Sequence, residues 1–276
     1  MLNTRALKGL ALIASAFLAA SANASSVQPL KEGVLTIGSD LTWAPFDYFD
    51  GDKPAGFDIE LMEKVAQGMG LTPKVVDTRF ANLVIGLSGK KFDVVASALY
   101  ITPARAAQID YVPYLKTGGA LMTLKGSEFR PQRPEDLCGK RVASLKGAAW
   151  VPMLGKLSTE HCVAAGQGPI LVQEYESSPA SAQAVLSRAA DVQFDDVAVS
   201  QMMLKQTRGR LEITSKELLE PVVIGLGVAK GNTELLKALI DQLDRLRKSG
   251  EYQALLAKYN LQDPTAEEVA AAYAGK

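Results

Sequence analysis

One segment, residues 89–105, constrains the fold of this chain more than any other part of the sequence. It contains an apolar run, Phe92–Leu99, that is long enough for one strand buried in a sheet. The run ends in a short loop, and Pro103 after it suits the first position of a new helix. In a parallel α/β sheet, loops that follow strands in this way meet at the edge where ligands bind.

Arg105 lies two residues into this predicted helix, beside backbone N–H groups that have no partner within the helix. A guanidinium and the positive end of a helix both favour an anion, so the segment predicts a receptor for a carboxylate. The alternative is a surface arginine that pairs with a neighbouring acidic side chain. This segment alone leaves both interpretations open.

Strand-like and helix-like segments alternate along the chain, which predicts parallel sheets with helices on both faces. The first series comprises a strand at 34–38, a polar and aromatic loop at 39–56, a helix at 58–67, a strand at 74–77 and a helix at 81–88. The second series comprises strands at 141–145, 170–175 and 190–195 and a helix at 178–189, with Ser178 as its cap and Pro179 at its first position.

Two extended apolar segments that contain glycine, 118–124 and 221–229, predict strands that cross between two lobes. The last helices, 233–248 and 251–258, carry leucines at helical spacing, which we interpret as ordinary core packed on the first lobe. The predicted fold is α/β, with two doubly wound lobes joined by two hinge strands. The predicted boundaries are 31–118 plus 222–276 for the discontinuous first lobe, 124–216 for the second lobe, and hinge strands near 118–124 and 217–228.

The first 24 residues are typical of a signal peptide. Arg5 and Lys8 precede a short apolar run, Leu10–Ala20, and Ala22–Ala24 forms a small-x-small cleavage site. The run is too short to span a bilayer as a helix, which disfavours the alternative of a membrane anchor. We expect cleavage after residue 24 and an exported, periplasmic protein.

Charge and composition exclude several classes of partner. Arg5 and Lys8 leave with the signal peptide, so 28 basic side chains remain against 30 acidic ones. A net charge near −2 without a run of like charges argues against nucleic acid and anionic membranes as partners. The sequence contains no phosphate loop, nucleophile–base pair or metal-ligand set, so we expect no cofactor and no metal.

Cys138 and Cys162 are the only cysteines and enclose 23 residues. In an exported chain this predicts a disulfide, which would stabilise the fold by about 3 kcal/mol. The alternatives are two free thiols or half of a metal site beside His161, the only histidine.

Charged groups of both signs follow strands of the two predicted lobes. Arg105 offers a guanidinium from one lobe, Asp195 and Asp196 offer carboxylates from the other, and the turn Gly147–Ala149 offers backbone N–H groups. Buried charges are costly alone and tolerable when paired, and a zwitterion between the lobes would neutralise both. The sequence therefore predicts a site for an α-amino acid.

Four aromatic residues belong to the loops around this predicted site. Trp43 and Phe80 follow strand ends, and we expect them to pack on the ligand's side chain. Phe46 and Tyr48 are equally well interpreted as loop anchors or core.

Seven short segments occur in an order and spacing that point to a known family. They are Gly38–Asp40 with Trp43–Phe46, Gly56–Ile59, Phe92-Asp93 leading to Ile101–Arg105, Tyr111–Tyr114, Asp136–Lys140, Ala190-Asp191 with Asp196, and Gly250–Tyr252. From about residue 35 to 261 the chain resembles the periplasmic amino-acid-binding proteins of ABC importers, solute-binding protein family 3. The resemblance implies the type II periplasmic binding protein fold, a clamshell or Venus-flytrap.

The resemblance also implies a role for individual residues. The implied ligand contacts are Arg105 to the α-carboxylate, Asp196 and the Ala98 carbonyl to the α-ammonium, Trp43 and Phe80 around the side chain, and Asp40 to a polar or cationic group.

The chain departs from the family's pattern in two places. Tyr100 stands where the family usually has Ser or Thr, and Ala148 and Ala149 stand where hydroxyl residues usually follow Gly147. The backbone N–H groups survive these changes, but each missing neutral hydrogen bond weakens binding by about 1 kcal/mol. Tyr100 is bulky and would also occupy volume in the cleft. The departures bear on the identity of the ligand more than on the fold.

The expected function is an exported, monomeric receptor that binds an amino acid, with polar or cationic ones favoured, or a related carboxylate. It would deliver this ligand to an ABC importer permease in the inner membrane, and a role in reporting to a membrane sensor stays open. The alternative is a periplasmic enzyme on the same fold, resembling cyclohexadienyl or arogenate dehydratases. Asp195, Asp196 and Glu174 are the candidates for the proton-transfer group that such an enzyme needs.

Overall fold

The computed structural model describes residues 27–275, so the predicted signal peptide at 1–24 lies outside the described residues. The described chain alternates strands and helices in two series, as the sequence predicts. The strands are β1 (Val34–Ser39), β2 (Thr42–Trp43), β3 (Asp47–Asp50), β4 (Lys53–Ala55), β5 (Thr72–Asp77), β6 (Val94–Val95), β7 (Ile109–Leu124), β8 (Arg141–Leu145), β9 (Leu171–Tyr175), β10 (Val192–Asp196), β11 (Leu211–Ile213) and β12 (Leu219–Ala229). The α-helices are α1 (Phe57–Gly68), α2 (Leu83–Ser88), α3 (Pro103–Ala106), α4 (Trp150–Leu157), α5 (Ser178–Leu186), α6 (Val197–Gln206), α7 (Thr233–Ser249), α8 (Glu251–Tyr259) and α9 (Ala266–Ala274).

Two groups of parallel strands, one in each lobe, belong to a single nine-stranded sheet. In the first lobe β1 lies between β5 and β6, and all three strands are parallel. In the second lobe β8 lies between β9 and β10, again in parallel. Parallel neighbours require crossovers, and helices α1, α2, α4 and α5 supply them.

The long antiparallel pair β7 and β12 connects the lobes. Residues 109–117 of β7 pair with β12, which pairs with β6 on its other side. Residues 119–124 of β7 pair instead with β10 and β11 of the second lobe. The strand order is therefore β5-β1-β6-β12-β7-β10-β8-β9, with β11 beside β7. This topology confirms the predicted α/β fold with two crossing strands.

The leucine stripe of α7 is core, as the sequence predicts. Leu235, Leu239, Leu243 and Leu246 are buried, whereas Ile240 on the same helix is 40% exposed. The side chain of Asn232 caps the helix by accepting from the Leu235 N–H at 3.2 Å.

Residues 39–56 form a three-stranded antiparallel sheet, β2-β3-β4, where the sequence predicts a loop. Each of these strands has only two to four residues. A strand this short shows no periodicity that a sequence pattern could detect.

The apolar run Phe92–Leu99 is a strand over only two residues, so the predicted single strand is wrong in its length. Ala96, Ala98 and Leu99 are buried without continuing the strand, and Ala98 adopts a positive φ of 40°. Apolar composition here reports burial, which a loop inside a core satisfies equally well. The following helix, α3, is a single turn.

Two further predictions change in detail. Ser177, not Ser178, caps α5, because its hydroxyl accepts from the Ala180 N–H at 3.3 Å. The hydroxyl of Ser178 instead donates to Asp195. The predicted disulfide is confirmed, since Cys138 and Cys162 are bonded. No helix among residues 27–275 is long and apolar enough to cross a membrane.

Candidate functional site

A narrow cleft lies between the two lobes at the carboxyl ends of their parallel strands. Its remaining free volume is about 10 Å³, less than a single amino acid requires. The first lobe and the second lobe each supply four of its lining residues, which are Trp43, Phe80, Tyr100, Arg105, Leu145, Ala148, Ala149 and Trp150. Four predicted site residues besides Ala149 therefore meet at one place, namely Trp43, Phe80, Tyr100 and Arg105.

Arg105 reaches across this cleft from α3. Its guanidinium donates to the carbonyl of Tyr100 at 3.0 Å and to the carbonyl of Gly147, in the other lobe, at 2.9 Å. The guanidinium also lies 5.3 Å from the centre of the Phe80 ring. Among residues 27–275, no carboxylate lies within 4 Å of the Arg105 guanidinium. Arg105 therefore does not form the surface ion pair that is the alternative interpretation.

Asp196 is completely buried at the end of β10. It belongs to the second lobe, whereas Arg105 belongs to the first. Its Oδ2 atom accepts from the Tyr100 hydroxyl at 2.7 Å and from the Thr117 hydroxyl at 2.8 Å. Its Oδ1 atom caps α6 by accepting from the N–H groups of Ala198 at 2.7 Å and Val199 at 3.4 Å. Burial raises the pKa of this carboxyl, and these hydrogen bonds oppose the rise.

Asp195 also bonds across the cleft. Its Oδ1 atom accepts from the indole N–H of Trp43 at 3.2 Å, while Oδ2 accepts from Ser178 and from Gln193 at 2.7 Å. Burial raises the pKa of Asp195 to about 6 despite these donors.

Tyr100 and Trp150 line the cleft and contact each other. Their rings meet edge to face with centroids 5.4 Å apart, and Trp150 stacks on Phe194 at 5.3 Å. The indole N–H of Trp150 donates to the Ser144 hydroxyl. Tyr100 is 3% exposed and its hydroxyl stays protonated, because burial and the neighbouring Asp196 raise its pKa far above the usual range.

Asp40 and Ala98 lie in the first lobe behind the cleft lining. Asp40 pairs with Arg79 at 2.9 Å and accepts from the Phe80 N–H at 2.8 Å, so it positions the backbone that carries Phe80. Burial raises the pKa of Asp40, and Arg79 opposes this. The N–H of Ala98 donates to the buried Asp58 at 2.6 Å, a bond that accompanies its positive φ.

The turn after Gly147 differs from the expected anion cradle. The N–H of Ala148 is used within the turn, where it donates to the carbonyl of Leu145 at 3.1 Å. The carbonyl of Gly147 points to Arg105 instead. Ala149 lines the cleft but brings no side-chain donor to it.

Sequence reasoning missed two contributors to this site. Thr117 lies on β7 just before the predicted hinge strand, and nothing in the nearby sequence marks its hydroxyl as a partner of Asp196. The bond between Trp43 and Asp195 joins residues 152 positions apart, so only the folded chain reveals it. Among the described residues, no group of three or more His, Cys, Asp or Glu side chains is placed to hold a metal ion.

Fold and site together define a class of protein: a two-lobed α/β receptor whose cleft carries a guanidinium and carboxylates from opposite lobes. The sequence matches the family described as "Bacterial extracellular solute-binding proteins, family 3" over residues 35–262. The chain belongs to this family.

Individual relatives agree with this assignment. The L-cystine-binding protein TcyJ of Escherichia coli strain K12 is 28% identical over 253 residues, which cover 90% of this chain and 91% of that protein. A solved structure of an ancestral arginine-binding protein bound to arginine is 28% identical with a TM-score of 0.76, covering 82% of this chain and 98% of that one. The ancestral amino acid-binding protein AncCDT-1, a precursor of cyclohexadienyl dehydratase, is 26% identical with a TM-score of 0.69, covering 82% and 95%.

Proposed function

We propose that this protein is an exported, monomeric receptor that binds an amino acid or a related small carboxylate between its lobes and delivers it to an ABC importer permease. The observation that carries the proposal is the guanidinium of Arg105, which faces the cleft with only carbonyl partners while Asp196 lies in the opposite lobe. A guanidinium held in this way is a strong binding site for a carboxylate. The names of the relatives, which bind cystine and arginine, support an amino-acid ligand.

We propose one role in ligand binding for each of these residues. Arg105 holds the α-carboxylate, and Asp196 with the carbonyl of Ala98 holds the α-ammonium. Trp43 and Phe80 pack on the side chain, and Ala149 contacts the ligand through its backbone. Asp40 acts through Arg79 and Phe80, with which it is already bonded.

The lobes would move about the pair β7 and β12 when the ligand binds. We place the hinge near 118–124 and 217–228, with 31–118 plus 222–276 as the first lobe and 124–216 as the second. The change of partner along β7, from β12 to β10, and the register shifts in β12 between Leu219 and Val222 support this division.

Calorimetry and thermal unfolding test the carboxylate clamp. With L-arginine, L-histidine and L-cystine as probes, we expect at least one to bind wild-type protein and raise its melting temperature. Arg105→Ala should lose at least about 100-fold in affinity, because it removes a bidentate charged contact. Arg245→Ala on α7, which bonds only Gln242, Glu251 and Lys64 there, is the matched control. Equal affinity of Arg105→Ala and wild type would refute the clamp.

One observation favours the enzymatic alternative, but it is weaker support than the placement of Arg105 gives to the receptor. Asp195 is a buried carboxyl beside the cleft with a pKa of about 6, which suits proton transfer. All of its oxygens, however, are engaged by protein donors. Incubation with prephenate or arogenate tests this alternative, and we expect no dehydrated product. Turnover of either compound would show that the protein is an enzyme and would refute the proposed receptor function.

A further inference from the structure

Protein groups of the two lobes contact one another across the cleft. Three contacts cross it: Tyr100 to Asp196 at 2.7 Å, Trp43 to Asp195 at 3.2 Å, and Arg105 to the carbonyl of Gly147 at 2.9 Å. Tyr100 lines the cleft, in which about 10 Å³ remains free.

Asp196 has no acceptor position left for a ligand in this arrangement. A carboxylate offers about four lone-pair positions, and Asp196 receives four donors, from Tyr100, Thr117, Ala198 and Val199. Thr117 lies on the connecting strand, and the other two are backbone groups of the capped helix α6. Tyr100 is therefore the one donor of these four that lies neither on the connecting strand nor at the start of α6, and its side chain can leave without unfolding an element.

The backbone of Tyr100 is held within the first lobe, whereas its side chain contacts the second lobe. The backbone pairs with Ile224 of β12, and its carbonyl accepts from Arg105 at 3.0 Å. Only the ring and hydroxyl reach into the second lobe, where the ring meets Trp150.

We propose that Tyr100 is an internal occupant of the cleft: its side chain bonds Asp196 in place of a ligand ammonium, holds the lobes closed without ligand, and must withdraw before a zwitterion binds. This inference rests on the proposed function for the identity of the site. It assigns Tyr100 a role opposite to a direct ligand contact. The consequence is that the wild-type receptor binds amino acids more weakly than its charged groups alone would allow.

Tyr100→Phe and Tyr100→Ser separate the hydroxyl from the ring. Phenylalanine keeps the ring and removes only the bond to Asp196, whereas serine clears the ring as well. A hydrogen bond to a charged group accounts for roughly a 10- to 100-fold change in an equilibrium, so we expect Tyr100→Phe to bind its amino acid at least about tenfold more tightly. Tyr100→Ser should bind more tightly still, because it also frees volume.

Small-angle scattering without ligand provides the second readout. The scattering of wild-type protein should match the closed arrangement of the lobes. Both variants should be more expanded without ligand and should return to the closed arrangement when L-arginine or L-histidine binds. Tyr175→Phe is the matched control, since its hydroxyl bonds Gln173 within the second lobe at 3.3 Å and crosses no cleft. Circular dichroism melting verifies that each variant is folded.

The two readouts distinguish the inference from the proposed function. The inference is overturned if the ligand-free variants stay as compact as wild type. It is also overturned if the variants expand but bind a probe no more tightly than wild type does. Scattering needs no ligand. Absence of binding by every variant with every probe would therefore count against the proposed function, while the scattering result would still decide whether Tyr100 closes the lobes.

Discussion

The carboxyl of Asp195 should make this protein less stable as the pH rises, whereas a carboxyl with a lowered pKa makes a protein more stable as the pH rises. Burial raises its pKa from the ordinary 3.8 to about 6 in the folded chain. The folded state then binds the proton more tightly than the unfolded state does. Stability from this group is fully present below pH 3.8 and is lost as the pH rises through about 6.

The magnitude follows from the shift. A difference of one pKa unit corresponds to 1.36 kcal/mol, so a shift of roughly two units corresponds to about 3 kcal/mol of unfolding free energy. Asp195→Asn cannot titrate. The difference in unfolding free energy, wild type minus variant, should therefore fall by roughly 2 kcal/mol between pH 4 and pH 7, because the carboxyl of the unfolded chain is already partly ionised at pH 4.

Urea denaturation of the two proteins at half-unit steps of pH measures this difference, and carboxyls common to both proteins cancel. Asp191→Asn is the matched control with opposite sign. Arg141 holds the pKa of Asp191 below its usual range, so the wild-type advantage over that variant should grow as the pH rises toward about 4 and stay nearly level from pH 4 to pH 7. A difference for Asp195→Asn that stays flat from pH 4 to pH 7 would refute the assignment of a raised pKa.

Two further substitutions test the fold. Cys138→Ser should lower the unfolding free energy by about 3 kcal/mol, as expected for a closed loop of this length, and the loss should be matched by chemical reduction of wild type in denaturation experiments. Gly56→Ala should cost at least about 2 kcal/mol, because φ is 123° and an added Cβ would lie 2.1 Å from the carbonyl oxygen of Phe46. Gly51→Ala, with φ of 60° and nothing within 4 Å, should cost less; equal losses would show that backbone strain alone sets the effect.

The sequence predicts those parts of the fold whose signal is periodic. The stripe of α7 repeats at helical spacing over several turns; four of the six residues that the pattern selects are buried, while Leu236 is half-buried and Ile240 is exposed. Strands β1, β5, β8 and β9 are predicted to within two residues at either end. The sheet β2-β3-β4 is not predictable in this way, because tertiary packing against α1 rather than a local pattern defines strands of two to four residues.

The sequence predicts several of the residues that line the candidate site, but it does not predict their hydrogen-bond partners. Five of the eight predicted ligand-binding residues line the cleft, while Asp40, Ala98 and Asp196 do not, and Asp196 reaches the cleft through its bond with Tyr100. Sequence does not reveal which partner each group takes, because the choice depends on contacts between distant elements. Asp40 illustrates this limit: its carboxylate is available to a ligand in the sequence pattern but pairs with Arg79 in the folded chain.

The distribution of donors around the cleft determines which end of a zwitterion contributes most to binding. Ala148 and Ala149 bring no side-chain donors, while Tyr100 supplies a donor to Asp196 from within the protein. An ammonium at Asp196 would therefore exchange one hydrogen bond for another, with a small net gain. A carboxylate at Arg105 would replace carbonyl partners with a full negative charge, a large gain. In this cleft the carboxylate of the ligand should contribute more to affinity than its ammonium, and removal of the Tyr100 hydroxyl should restore the balance between them.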